Sequence, residues 1–199
     1  MDRPKTQVEN LLKRQSSVRS RELVAAGITR SQISRMVASG QLHKVARGLY
    51  AKPGFQSGEF GGVVEVANRA PNVVFCLLTA LRIHNLTTQA PFEVWIAIGN
   101  KEKPPRLNYP PLRTIRFSGK ALTAGIEELV IDGAPVRVTT VAKTVADCFK
   151  FRNKIGLDVA LEALREASRS KKASADQLWR YATIDRVTNV MRPYLEAVM

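Results

Sequence analysis

Cysteine is scarce in this 199-residue chain: Cys76 and Cys148 are the two present, each in an apolar stretch. Neither shows a CxxC or Cys/His spacing, which excludes a zinc ribbon or a disulfide-stapled scaffold and predicts two buried free thiols. Histidine is equally sparse, and both His43 and His84 read as structural residues rather than catalytic bases. No run of 18 apolar residues occurs, and Met1-Asp2-Arg3-Pro4-Lys5 opens onto a polar amphipathic segment instead of an apolar signal core. A membrane span and an export signal are therefore not expected, and the expected location is the cytoplasm. The GxxxxGK[ST], GxGxxG, GxSxG and HExxH patterns are also missing, so no cofactor or metal is expected and no catalytic residue is assigned.

Basic residues are plentiful: 31 Lys+Arg face 17 Asp+Glu, for a formal net charge of +14. Hydrophobic residues make up 45% and charged residues 24%, a globular balance, so the charge sits on a folded surface and not in a disordered polybasic tail. It is unevenly spread. Residues 1–54 carry eleven basic and three acidic side chains, net +8, whereas the other 145 residues hold 20 and 14, net +6. This asymmetry points to a polyanion as the partner of the N-terminal segment.

That segment has helical grammar. Thr6-Gln7-Val8-Glu9 has capping-box form, with Val8, Leu11 and Leu12 making an apolar stripe. Ser20 is expected to cap a second helix over Arg21 to Ala26, with Leu23 and Val24 inward and Gly27 ending it. Thr29-Arg30-Ser31-Gln32 repeats the capping box and opens a third helix, with Ile33, Met36 and Val37 inward and Gly40 closing it. Two short helices joined at Gly27-Ile28 read as helix-turn-helix. Leu42, Val45, Leu49 and Tyr50 around Ala46-Arg47-Gly48 then predict a two-stranded wing. In such a winged helix-turn-helix the third helix enters the major groove. Arg30, Ser31, Gln32 and Arg35, on its outer face, are the base-reading candidates, because Arg forks onto guanine and Gln onto adenine. Arg19, Arg21, Lys44, Arg47 and the Tyr50 hydroxyl are placed for phosphates. The competing reading is a protein-interaction winged helix whose basic residues are merely solvated.

Gly54 to Gly62 reads as a linker, which sets a boundary near Phe55 and gives domains 1–54 and 55–199. In the larger part, Val63 to Ala70 and Val74 to Ile83 are expected as helices, and Phe92 to Ile98 as a strand. Lys101 to Pro111, basic and with four prolines, is a loop of no recognisable motif. Arg113 to Phe117, Glu127 to Ile131 and Ala134 to Val138 are expected as strands, the last two joined by the hairpin signal Asp132-Gly133. From Thr140 the pattern is helical. Val141, Val145 and Phe149 follow a Thr140 cap, and Leu157, Leu161 and Leu164 form a second stripe. Ser174-Ala175-Asp176-Gln177 caps a helix with Leu178, Tyr181 and Ala182 inside, and a last helix runs through Val190, Tyr194, Leu195 and Val198. The expected fold class is α+β: an N-terminal winged helix-turn-helix, then a larger α+β domain with a small mixed sheet and a helical C-terminal end. Glu93 with Glu127, Glu128 and Asp132 offers the enzymatic alternative, a metal-dependent nuclease, although nothing in their spacing brings them together. A general basic nucleic-acid binder is a third reading.

The runs GITRSQISRMVASGQLHKVARGLYA (Gly27 to Ala51), VTTVAKTVADCFKFRNKIGLDVALEALREA (Val138 to Ala167) and LWRYATIDRVTNVMRPYLEAV (Leu178 to Val198) resemble, in order, the AbiEi antitoxins of type IV toxin-antitoxin systems. Thr144-Val145-Ala146-Asp147 with Phe151-Arg152, and Met191-Arg192-Pro193-Tyr194, are the most specific parts. The resemblance implies a winged helix that binds double-stranded DNA at inverted repeats in its own promoter and represses the operon. It also implies a C-terminal domain that counters a nucleotidyltransferase toxin without a stable complex. It places Ser31, Gln32 and Arg35 on the recognition helix, and Arg47, Gly48 and Tyr50 on the wing. Since no coiled-coil seam is present, monomers that assemble cooperatively on the DNA are expected. An orphan regulator without a toxin is a further form such a chain takes.

Overall fold

The computed structural model describes residues 3–14, 17–46, 48–53, 58–107 and 110–198. The boundary expected near Phe55 and the wing residue Arg47 lie outside the described residues. By its internal contacts the chain divides into two compact units, Met1–Val64 with Val130–Ala134, and Glu65–Leu129 with Pro135–Met199.

The first unit contains α1 (Arg3–Arg14), β1 (Ser17–Arg19), α2 (Ser20–Ala25), α3 (Arg30–Ala38), β2 (His43–Ala46) and β3 (Leu49–Ala51). Its core is built from Val8, Leu12, Val18, Leu23, Ile28, Ile33, Met36 and Leu42. Three expectations are corrected here. Helix α1 begins at Arg3, so Thr6 lies inside its first turns and is not a cap. Val24 stands outward at 47% exposure, because in a helix of six residues only Leu23 points at the core. The wing sheet has three strands, ordered β1-β3-β2, and Val18 and Ala51 are fully buried in it.

The second unit carries a five-stranded mixed sheet ordered β6-β5-β4-β8-β7. The strands are β4 (Val74–Phe75), β5 (Val94–Gly99), β6 (Leu112–Phe117), β7 (Ile126–Ile131) and β8 (Ala134–Thr139). Strand β5 runs parallel to β6 and antiparallel to β4, which is parallel to β8. The helix α4 (Gly61–Arg69), which spans the division between the units at Val64, precedes these strands, and α5 (Leu77–Ile83) and the short α6 (Lys120–Thr123) lie between them in sequence. Gly61 and Gly62, expected in the linker, open α4. The helix expected over Val74 to Ile83 is a strand followed by a shorter helix. Cys76 is extended, with φ −142° and ψ 174°, and its N–H donates to Trp95 O at 3.1 Å, so pairing with β5 takes the first residues away from the helix. Phe92 lies outside β5 and is 82% exposed. Asp132 and Gly133 both take positive φ, 48° and 78°, the two left-handed centres that a tight hairpin turn requires.

Five further helices follow: α7 (Val141–Lys150), α8 (Arg152–Ile155), α9 (Leu157–Arg169), α10 (Ala175–Asp185) and α11 (Thr188–Val198). Helix α7 is the axis of the packing. It is buried without a break from Ala142 to Phe149 and touches α5, α9, α10 and α11. Thr140 occupies its N-cap position but makes no side-chain capping bond. On α9 the buried stripe is Val159, Ala160, Ala163, Leu164 and Ala167, while Leu157, at 37%, is exposed. Small alanines let α9 lie close to α7. Ser174 caps α10 as expected, accepting from Gln177 N.

Enclosing α7 buries a charged group of three. Lys143, Asp147 and Asp185 are all within a few per cent of fully buried. Lys143 Nζ pairs with Asp147 and lies 3.2 Å from Asp185 Oδ2, and the half-buried Lys150 reaches Asp185 Oδ1 at 3.6 Å. Burial works against the Lys143 charge, but Asp147 and Asp185 outweigh it and hold its pKa above the ordinary value; burial pushes the Asp147 carboxyl up. Gly125 makes room for this cluster. Its φ is 68°, and a Cβ there would sit 2.8 Å from Lys143 Cβ and 2.7 Å from the Tyr181 ring. Nearby, Thr139 O accepts from both His84 Nε2 (2.7 Å) and Thr144 Oγ1 (3.0 Å). Thr144's proton is thereby committed, so in the 2.7 Å contact between the two hydroxyls Thr139 is the donor.

Two outcomes follow for stability. Lys143→Met leaves Asp147 buried without its ammonium and Asp185 with Lys150 alone, and is expected to lower the unfolding free energy by about 3–5 kcal/mol, measured by chemical denaturation. Burial also lowers the His84 pKa below its ordinary 6.5, against the opposing pull of the Thr139 carbonyl and Glu127. Neutral His84 therefore contributes stability above about pH 6.5 that is lost as pH falls through the lower folded value. His84→Gln, which keeps a donor for Thr139 O, is expected to flatten stability between pH 7.5 and 5.5, and equal slopes in the two proteins would refute the assignment.

Candidate nucleic-acid interface

Helix α2 ends where Gly27, with φ 86°, turns the chain. Gly27 N donates to Val24 O at 2.9 Å and Ile28 N to Leu23 O at 3.0 Å, which satisfies carbonyls that the last helical turn leaves open. Ile28 is buried, so the turn is pinned from inside. Thr29 then caps α3. Gln32 N donates to its hydroxyl at 3.3 Å, and Thr29 N donates to Gln32 Oε1 at 2.8 Å.

With Ile33 and Met36 buried, α3 presents Arg30, Ser31, Ser34, Arg35 and Ala38 to solvent. Three of the four base-reading candidates, Arg30, Ser31 and Arg35, are thus exposed on one face. Gln32 is half-buried, and its Oε1 is held by the cap. A two-pronged contact with adenine would require breaking that bond. Ser34 was not singled out from the sequence; counting one turn on from Arg30 and Ser31 finds it.

The expected Ser20 cap is replaced. Arg19 occupies the N-cap, and its N–H donates to Glu22 Oε2 at 2.6 Å. Ser20 instead joins α2 to the wing turn: its N–H donates to Gly48 O at 2.9 Å and its hydroxyl donates to the same oxygen at 3.4 Å. Gly48 takes φ 78°, the left-handed conformation that lets its carbonyl meet the helix. Arg19 belongs to β1, opposite Leu49, and is half-buried, whereas Arg21 in the first turn of α2 is exposed. Lys44 is exposed on β2, opposite Tyr50. Tyr50 lies on the central strand between Val18 and Lys44 and packs its ring against the core. The described part of the interface is therefore two surfaces with exposed basic groups, α3 with the start of α2 and the wing strand β2, tied together through Gly48.

The nuclease carboxylates are not assembled. Among the described residues no group of three or more His, Cys, Asp or Glu side chains is arranged to hold a metal ion. No helix among them is long and apolar enough to cross a membrane.

A three-helix unit with a three-stranded wing is a winged helix-turn-helix, here followed in the chain by an α+β unit. Residues 7–52 match the family model described as a transcriptional regulator, AbiEi antitoxin, so the resemblance in sequence is borne out over that segment. Among solved structures, the fold is similar to that of the RV2827C protein from Mycobacterium tuberculosis, at 16% identity and a TM-score of 0.60, over 90% of this chain and 71% of that one. At that identity the likeness concerns the fold. Among curated proteins none matches this chain.

Because its oxygen closes the cap, Gln32→Ala is expected to destabilise the free protein by about 1 kcal/mol. Thermal unfolding of the first unit without DNA checks this; an unchanged midpoint would return Gln32 to the residues free for base reading.

Proposed function

We propose that this chain is a DNA-binding autorepressor and antitoxin of a type IV toxin-antitoxin system, working in the cytoplasm. The supporting observation is the exposed face of α3, with Arg30, Ser31 and Arg35 beside one another on a helix whose cap and turn are fully hydrogen-bonded, in a segment of net charge +8. A rigid helix of this kind, with cationic forks outward, suits the major groove. Arg30, Ser31 and Arg35 read bases; Arg21, Lys44 and, on the wing turn, Arg47 contact phosphates. Arg19 and Tyr50, both half-buried in the wing sheet, chiefly position the exposed groups around them. The operator consists of inverted repeats in the chain's own promoter, filled cooperatively by monomers. The second unit counters a nucleotidyltransferase toxin without forming a stable complex with it.

The test is a gel-shift titration on DNA from upstream of the gene, with scrambled duplex as competitor and salt varied. Discrete, competitor-resistant shifts are expected. Arg35→Ala should lose about 1–3 kcal/mol of discrimination between operator and scrambled DNA. Lys44→Ala should weaken both duplexes alike and lower the slope of log affinity against log salt by about 0.9. A uniform loss in both variants would remove Arg35 from base reading, and equal affinity for the two duplexes would remove the operator.

A further inference from the structure

The charge of the second unit is concentrated in one place. From Lys101 to Lys120 the chain has six basic side chains and a single acid, Glu102, whereas the rest of residues 55–199 has fourteen basic and thirteen acidic. Five of the six net charges beyond residue 54 thus fall within twenty residues, on the loop between β5 and β6 and on β6, an edge strand of the sheet.

The described part of this segment is ordered, and its charges face water. Arg116 Nη1 donates to the carbonyls of Gly99, Asn100 and Glu102 at 2.8, 2.7 and 3.0 Å, which clamps the start of the loop. The lone acid is spent on the same anchor: Glu102 Oε2 accepts from Gly99 N at 2.8 Å. At the other end Val94 N donates to Pro111 O at 2.9 Å. Pro104 and Pro105 fix φ at two positions between the described basic residues, which leaves that stretch less conformational freedom for binding to remove. Lys101, Lys103, Arg106, Arg113 and Lys120 are all exposed. Arg113 lies over the buried Trp95 ring, 5.7 Å from its centroid, which extends its guanidinium along the sheet.

A solvated charge run is ordinarily balanced by nearby acids or carried on a flexible tail. This one is unbalanced and preorganised. We propose that Lys101, Lys103 and Arg106, on the described part of the loop, and the edge strand β6 form a second contact surface for the phosphate backbone of double-stranded DNA, in addition to the winged helix. The proposal rests on the reading of the chain as a DNA-binding repressor. The surface supplies sequence-independent affinity: point charges at the backbone, no element shaped for a groove, and so no base reading. Duplex is favoured over single strands because a single-strand site needs successive stacking rings. Here Trp95 is covered, and among the described residues of β5, the loop and β6 no run of successive exposed rings is present.

The experiment compares the full-length protein with the triple variant Lys101→Ala/Lys103→Ala/Arg106→Ala and with Arg35→Ala. Each is titrated with operator duplex, scrambled duplex and single-stranded RNA of equal length, at several salt concentrations. All three loop residues are exposed, and a circular dichroism melt verifies that the variant folds. The expected result is a fall of about 2–3 in the salt slope on both duplexes, at about 0.9 per lost phosphate contact, with the operator-to-scrambled ratio unchanged. An unchanged slope in the triple variant, with Arg35→Ala still losing discrimination, overturns the second surface and leaves the repressor standing. Unchanged duplex binding with lost RNA binding assigns the patch to RNA and likewise overturns it. Wild-type protein that retains neither duplex refutes the repressor and this surface together.

Discussion

The second unit is organised by the enclosure of a single helix. Because α7 is surrounded by α5, α9, α10 and α11, its buried polar side chains Lys143, Thr144 and Asp147 have no route to water and must find partners within the protein. Lys143 and Asp147 stand four residues apart on one face, which serves each with one partner, and Asp185 comes from the end of α10 to complete the set. The requirement spreads outward. It fixes where α10 must end, demands a glycine at 125 where a methyl group would strike Lys143, and leaves Lys150 bridging from the cluster towards solvent. Such a cluster adds little net stability compared with a well-packed apolar core. What it enforces is register: sliding α10 along α7 by one residue would bury a carboxylate without its cation.

Local chemistry made several elements legible in the sequence. The Thr29 and Ser174 capping boxes, the glycine after α2 and the Asp132-Gly133 turn all encode short-range hydrogen-bond or φ requirements that need no knowledge of the rest of the chain. The failures have a common cause in tertiary context. Val24 satisfies the helical period as well as Leu23 does, yet the core touches only one side of so short a helix. A Lys-x-x-x-Asp pair on a helix usually marks a solvated face, so nothing in Lys143 and Asp147 announces that they are buried, and Asp185 lies 38 residues beyond Asp147. Val74 and Phe75 join a helix by pattern but a sheet by partnership, because β5 and β8 are there to receive them.

The candidate interface shows the same division at the scale of one residue. The pattern Thr-x-x-Gln names Gln32 as a cap, and its position on the third helix names it as a base reader. Both readings come from the same four letters, and the geometry assigns the oxygen to the cap. The Ser31 hydroxyl touches the same cap, 3.0 Å from Thr29 Oγ1, while Arg30 and Arg35 stand exposed beside it on the turn that Gln32 closes.

The two thiols have a use of their own. Cys76 and Cys148 both belong to the second unit, both are completely enclosed, and burial raises each pKa well above that of a free thiol, so neither is nucleophilic in the folded state. The first unit contains no cysteine. Alkylation by a small reagent can therefore proceed only from molecules whose second unit has opened, and the wing and its helices are silent to it. Nature has in effect placed a chemical clock in one half of the molecule: its rate reports how often that half opens.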